Sequence, residues 1–250
     1  MKRNPFGKKG DFVTAPNISR LFSEMIAVWI LSFWKSLGSP KKFNLIELGA
    51  GNGEMMKIFM ESFKNFPIFY KSCNFVIYEK SPNLIKVQKE KLNKSSITWI
   101  TKINKIKKYP SIFIANEFFD ALAIKQFIKK KNLWFEKFVN FENPKNPFFF
   151  EKKVNFKKIK KKYGLAMSNN QNFIEYSELS TNYLKSICKM IKRDLGGLLI
   201  IDYGYTQEKM RDTLQAVSNH KSVNILSEIG NIDITHKISF NFFKKLVKKM

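Results

Sequence analysis

Short apolar runs alternate along the chain with stretches whose apolar residues return every three or four positions, a pattern that predicts strands alternating with helices. The runs are Leu45–Leu48, Asn74–Glu79, Ile97–Ile100, Ile112–Asn116 and Leu198–Asp202. Each is short and bounded, as expected of a parallel strand covered on both sides. Helices are expected over Ile18–Leu37, with Leu21, Met25, Val28 and Trp29 turned to the core, and over Met55–Phe63, with Met55, Ile58, Phe59 and Phe63 on one side. Ser81-Pro82 opens another, serine as cap and proline at its first position, continued by Leu84, Val87, Gln88 and Leu92. Tyr176–Arg193 follows, carrying Leu179, Tyr183, Leu184, Ile187 and Ile191 inward and closing at Gly196-Gly197. Ile238–Val247 is the last.

Between Lys125 and Phe156 the apolar pattern changes. Gln126–Ile128, Leu133–Val139 and Phe148–Phe150 form a β-rich insertion after the fourth strand, punctuated by Asn143-Pro144 and Asn146-Pro147. Tyr205–Asn219 is polar and reads as lying outside the core. The expected organisation is an α/β chain with a mostly parallel sheet flanked by helices. Residues 1–124 hold an N-terminal loop and helix with the first half of the sheet, 125–165 the insertion, and 166–250 the remainder.

At 250 residues and 44% hydrophobic, the chain can bury a sizeable core. Its formal charge of +25 raises nucleic acid as a partner. The lysine runs at 129–131, 157–158 and 160–162 are scattered, however, with no aromatic interleaving on one face legible in the sequence. Phe, Ile, Lys and Asn are all abundant, as a compositionally biased genome would produce, so nucleic acid is not the expected partner. Cys73 and Cys188 are too few for a disulfide framework or a zinc site, which points to a reducing compartment. His220 and His236 are isolated, so no metal is expected. The longest apolar stretch, Met25–Phe33, is interrupted by Ser32 and followed by Lys35, well short of a membrane span. No secretory h-region follows Met1. The expected location is a bacterial cytoplasm, with a mitochondrial matrix as the alternative.

The most informative stretch is Glu47-Leu48-Gly49-Ala50-Gly51-Asn52-Gly53. Glycines at alternate positions after a buried strand allow backbone conformations closed to other residues and close approach by a ligand. The G-x-G-x-G spacing differs from the dinucleotide fingerprint. It is similar to the S-adenosyl-L-methionine (SAM) loop of Rossmann-like methyltransferases, in which the acid before the glycines, here Glu47, reaches the amino-acid end of the cofactor directly or through water. Glu79, a helix and a strand further on, stands where a βαβ nucleotide unit places the carboxylate that accepts from the ribose hydroxyls. Asn116-Glu117-Phe118-Phe119-Asp120 arrives at the same sheet edge as the glycines; Asn116 and Asp120 are alternatively helix caps.

Taken in order, Asn4–Gly7 with Gly10–Pro16, the Glu47–Gly53 segment, Asn116–Leu122, Ile201–Gly204 and Asp212–Ala216 resemble the MidA-like family of SAM-dependent methyltransferases, which includes a mitochondrial protein arginine methyltransferase of complex I assembly. The resemblance runs from about Asn4 to Phe243; Ala50 and Ala123 stand where the family usually has proline. It implies a Rossmann-like class I methyltransferase fold and a chain truncated at both ends. It implies SAM held at its methionine part by Gly49, Ala50, Gly51 and Gly53, and at its ribose by Glu79. Asn116 and Glu117 would line the transfer face, and Thr14 to Pro16 would contribute to a lid. Glu117, with Asp120 second, would orient an arginine guanidinium of a protein substrate, in the complex I branch a respiratory subunit. The alternatives are an RNA methyltransferase and a SAM-binding assembly factor without catalysis.

Overall fold

Every residue of β1 (Phe43–Leu48) is buried, and the strand is flanked on both edges by parallel partners. The computed structural model describes residues 15–92, 96–164, 171–218, 221–227, 230 and 232–250. Before β1 come a four-residue helix α1 (Ala15–Ile18) and α2 (Arg20–Ser36). After it follow α3 (Glu54–Phe63), α4 (Pro67–Ser72), β2 (Cys73–Tyr78), α5 (Pro82–Lys91), β3 (Ile97–Ile100) and β4 (Ser111–Asn116). The chain then runs through β5 (Lys125–Lys130), β6 (Leu133–Asn140), β7 (Phe148–Val154), α6 (Phe156–Tyr163), β8 (Phe173–Tyr176), α7 (Glu178–Asp194) and β9 (Gly196–Ile201). It closes with β10 (Gly204–Tyr205), β11 (Gln215–Ser218), β12 (Lys221–Val223), β13 (Asp233–Thr235), β14 (Ile238–Ser239) and α8 (Phe240–Val247).

Two compact units result. One extends to Phe118 and regains the chain at Ser186–Ile201; the other comprises Phe119–Lys185 and Asp202–Met250. The first holds a five-stranded sheet, order β3-β2-β1-β4-β9, with every pairing parallel. Chain order reverses at β1, whose successors lie on one side and β4 on the other, the switch point at which α/β sheets bind ligands. An aromatic nest holds one side: Phe69 lies 4.4 Å from Phe63, 5.0 Å from Phe43 and 5.2 Å from Trp34, centroid to centroid. Burying each such phenylalanine is worth about 1.5–3 kcal/mol relative to leaving it in water. The second unit holds a four-stranded antiparallel sheet, order β7-β6-β5-β8, and smaller sheets of three and two strands.

The expected parallel strands and the β-rich insertion are present, and Ser81 caps α5 as expected, its hydroxyl accepting from the Leu84 amide. Four details differ. On α2 the buried residues are Ser23, Ile26, Ala27, Ile30 and Trp34, whereas Leu21, Met25 and Val28 are exposed and Trp29 is only partly covered. This helix is apolar on most of its circumference, so periodicity alone could not orient it; the small Ser23 and Ala27 mark the side that packs. Leu179 likewise faces out from α7. Gly196 and Gly197 do not close α7. Leu195 takes the left-handed position instead, and the glycines begin β9, where a Cβ on Gly197 would meet the Phe33 ring at 2.6 Å. Tyr205 and Ala216, in the segment read as lying outside the core, are buried, because that segment supplies β10 and β11.

Gly196 has φ +133°, and a Cβ there would lie 2.0 Å from the Ser111 carbonyl oxygen. Gly196→Ala is therefore expected to lower unfolding free energy by more than ~3 kcal/mol in a denaturant titration. Gly164→Ala, left-handed at φ +62° but in open space, should lower it by only about 1 kcal/mol.

Candidate functional site

The glycine turn is built by backbone geometry. Gly49, Gly51 and Gly53 take φ of +66°, +53° and +81°, the left-handed region that other residues enter only with strain. The Gly49 amide donates to the Tyr78 carbonyl at 2.9 Å, fixing the start of the turn to the end of β2, and Gly53 donates back to Ala50 at 2.7 Å. Gly53 is also the residue from which α3 departs. Space is restricted on two sides: a Cβ on Gly49 would lie 2.9 Å from the Phe118 ring, and one on Gly53 3.2 Å from Leu92. Ala50 is buried within the turn.

Glu47 lies beneath this turn, 3% exposed. Its carboxylate accepts from the Met56 amide in the first turn of α3, while Oε2 has no hydrogen-bond partner among the described residues. Loss of hydration pushes its pKa up to about 8; the Met56 hydrogen bond opposes the rise and the charge of Glu79 adds to it. An acid in this state is a cation site in waiting, because a positive group beside Oε2 would supply the missing partner and favour the ionised form.

Glu79 follows β2, adjacent to β1 in the sheet, and is also buried. Its Oε1 accepts from the amides of Lys80 at 2.8 Å and Ser81 at 2.9 Å. Gln88, fully buried on α5, donates to Glu79 Oε2 at 3.3 Å and to the Gly51 carbonyl at 2.9 Å, and accepts from Trp99 Nε1 at 3.0 Å. This glutamine couples the acid to the glycine turn. In the sequence Gln88 is no more than a continuation of the helix; the one signal of its role is a long polar amide among the apolar residues Leu84 and Leu92.

On the other side of β1, β4 delivers Asn116, 9% exposed, its Oδ1 without a hydrogen-bond partner among the described residues. Glu117 follows at φ +46°, a left-handed conformation that is strained for glutamate, and its amide donates to the Ile201 carbonyl at 2.9 Å. Phe118 stands edge-on to Tyr78 with centroids 6.3 Å apart. No helix begins at Asn116 or Asp120, so neither caps one. In the second unit, Asp202 Oδ2 accepts from the amides of Phe119 at 2.9 Å and Asp120 at 3.3 Å, and Asp120 is buried. Asp202 is thus the acceptor that shapes the turn carrying Asp120. Pro16 is buried in α1, whereas Thr14 lies outside the described residues. Among the described residues no group of three or more His, Cys, Asp or Glu could hold a metal ion.

The strand ends therefore bring together Glu47, the three glycines, Glu79, Asn116 and Glu117 along one edge of the sheet. These residues suit SAM: a backbone cradle without Cβ atoms, a buried carboxylate lacking a partner for a cationic end, and a second carboxylate at the neighbouring strand.

A parallel sheet with a glycine turn and flanking acids at its switch point defines a Rossmann-like nucleotide-binding unit. Residues 25–250 match the family described as "Putative S-adenosyl-L-methionine-dependent methyltransferase", and the chain belongs to that family. Among curated proteins it is similar to "Protein arginine methyltransferase NDUFAF7, mitochondrial" of Xenopus laevis, 30% identical over 272 residues, covering 99% of this chain and 62% of that protein. The Homo sapiens protein of the same name is 25% identical, with 98% and 61% covered. The chain thus spans about three fifths of the length of these relatives. Its fold is shared with a crystal structure from Burkholderia thailandensis described as a "likely methyl transferase" bound to S-adenosyl-homocysteine, with a TM-score of 0.80 at 18% identity, covering 98% of this chain and 66% of that one.

Two measurements follow from the site. The folded pKa of Glu47, about 8, lies above its ordinary value of 4.5, so the folded state holds a proton that the unfolded state has released between those values. Stability should fall as pH rises through that window. Glu47→Gln should flatten the fall, its melting temperature overtaking that of the parent as pH approaches 8 in a thermal melt series. Gln88→Leu should leave the strands intact yet free the Gly51 carbonyl and Glu79 Oε2. Weakening of SAM binding by ~tenfold or more in equilibrium dialysis is the expected result.

Proposed function

We propose that this chain binds SAM across the glycine turn and transfers its methyl group to an arginine of a protein substrate. The observation that carries this reading is the position of the glycine turn, above the buried Glu47 and between Glu79 on one side and Asn116 and Glu117 on the other, at the carboxyl edge of β2, β1 and β4. The family's description and the relatives' arginine methyltransferase names support it.

Gly49, Ala50, Gly51 and Gly53 would hold the methionine part, Glu47 its cationic end, Glu79 the ribose, and Asn116 the face from which the methyl leaves. When bound, SAM would supply a sulfonium-activated methyl group for in-line displacement by a nitrogen lone pair, with the thioether as leaving group and the proton of that nitrogen released. The chain's own task is alignment and exclusion of water, with no covalent enzyme intermediate. A guanidinium remains protonated in water, with a pKa above about 12, so carboxylates must orient it and localise its charge away from the nitrogen that attacks. Glu117 is assigned that role, with Asp120 second. Thr14 to Pro16 are assigned to the lid. A respiratory complex I subunit is the proposed substrate, after the complex I assembly branch of the family. The relatives' mitochondrial names favour the matrix; a bacterial cytoplasm rests on the sequence alone.

Incubation with methyl-labelled SAM, followed by separation of protein from RNA, tests the reaction. Label should enter arginine of a protein acceptor, and Glu117→Gln should lower transfer by ~100-fold or more while leaving SAM affinity unchanged. Label in RNA, or unimpaired transfer by Glu117→Gln, would contradict the assignment. Because Glu47 must ionise to meet a cation, SAM binding below pH 8 should release a proton, so affinity should rise with pH towards about 8. Calorimetry in buffers of different ionisation enthalpy reads that proton directly.

A further inference from the structure

The four-stranded sheet of the second unit carries three lysines on each face but divides its acids unequally. Directly opposed residues of antiparallel strands share a face, so the register sets Phe127, Glu136 and Lys152 on one side with Trp134, Phe138 and Phe150. Gln126, Lys137, Glu151 and Glu175 fall on the other. Two of the three acids in these strands are thus on the second side, and Glu136, the one on the first, is neutralised by Lys125 at 3.0 Å.

Helix α6 lies over the first side. Phe156 stacks on Trp134 at 4.1 Å, and Tyr163 meets Tyr176 at 4.5 Å. Its outer surface carries Lys157, Lys158, Lys160, Lys161 and Lys162, all exposed, with no acid in the helix and, among the described residues, no ion pair to any of the five. Further along the same side, Phe138 and Phe150 stack at 5.6 Å with their planes 26° apart. Lys152 Nζ stands 5.5 and 5.3 Å from the two ring centroids, and Phe148, 55% exposed, continues the row.

We propose that this side of the sheet binds a single-stranded nucleic acid, with phosphates along α6 and Lys152 and unpaired bases on Phe148 and Phe150. Compositional bias would scatter lysines evenly, as they are on the sheet itself with three on each face; it does not set five exposed lysines on one acid-free helix on the side that also carries a row of phenylalanine rings. A membrane surface fits less well, because the apolar stripe of α6 is already committed to Trp134 and Tyr176 and cannot insert into lipid. Ring faces next to a run of exposed lysines without acid partners among the described residues suit bases that no complementary strand covers. This surface is independent of the SAM-binding reading.

Fluorescence anisotropy of the full chain with a labelled oligouridylate of about 12 nucleotides is the test. Binding should weaken log-linearly with salt. Replacing the five α6 lysines with glutamine should weaken it by ~tenfold or more and reduce the salt slope by up to about 3.5. Phe148→Ala, at an exposed ring whose loss leaves folding intact, should weaken binding by about fivefold or more with the slope unchanged. The proposal is overturned if the lysine variant binds like the parent. It is also overturned if Phe148→Ala is silent, or if phosphatidylserine vesicles compete as well as the oligonucleotide, either of which would mark a bare polyelectrolyte or lipid surface.

Discussion

Parallel pairing of β1 with β2 on one edge and β4 on the other is the constraint from which the site follows. In parallel strands all carboxyl ends point one way, so whatever follows β1, β2 and β4 is delivered to a single edge irrespective of separation in the chain. The register is specific: Leu48 lies opposite Tyr78, and Glu47 opposite Ile114. Once it is set, the left-handed glycines, Glu79 and Asn116 need no further long-range information to become neighbours.

The same constraint explains an unfavourable feature. A carboxylate at position 47 is buried because β1 is the central strand, and burial makes its ionised form expensive. Among the described residues only one of its oxygens is satisfied, by the first turn of α3. Around Glu79 the chain behaves differently, surrounding the acid with the Lys80 and Ser81 amides and the Gln88 amide, so that this acid is already held in place. The two acids thus differ in how far the protein itself has satisfied them, which suits one to meeting charge and the other to positioning neutral hydroxyls.

Much of this was legible in the amino-acid sequence, for identifiable reasons. Buried parallel strands leave continuous apolar runs, and alternating glycines have few structural uses, so β1, β2, β4 and the turn could be read directly. What escaped depended on direction or on distant partners. An all-round apolar helix such as α2 offers two plausible stripes, and only the neighbouring α3 decides between Leu21 and Ile26. Gln88 looks like any polar helical residue until Trp99, Gly51 and Glu79 arrive around it. Gly196 looks like a helix terminator until β4 presents the Ser111 carbonyl against it. The row of Phe138, Phe150 and Phe148 on the side of the β5–β8 sheet covered by α6 exists only in the paired register and has no counterpart in a linear scan.

The most direct test of the account is a crystal structure of the chain grown with S-adenosylhomocysteine. The account predicts the ligand along the Gly49–Gly53 turn, its ribose hydroxyls at Glu79 Oε2, its amino-acid end nearest Glu47, and its sulfur towards Asn116. Ligand density elsewhere on the molecule, or a bound nucleoside with Glu47 and Glu79 both out of reach, would contradict it.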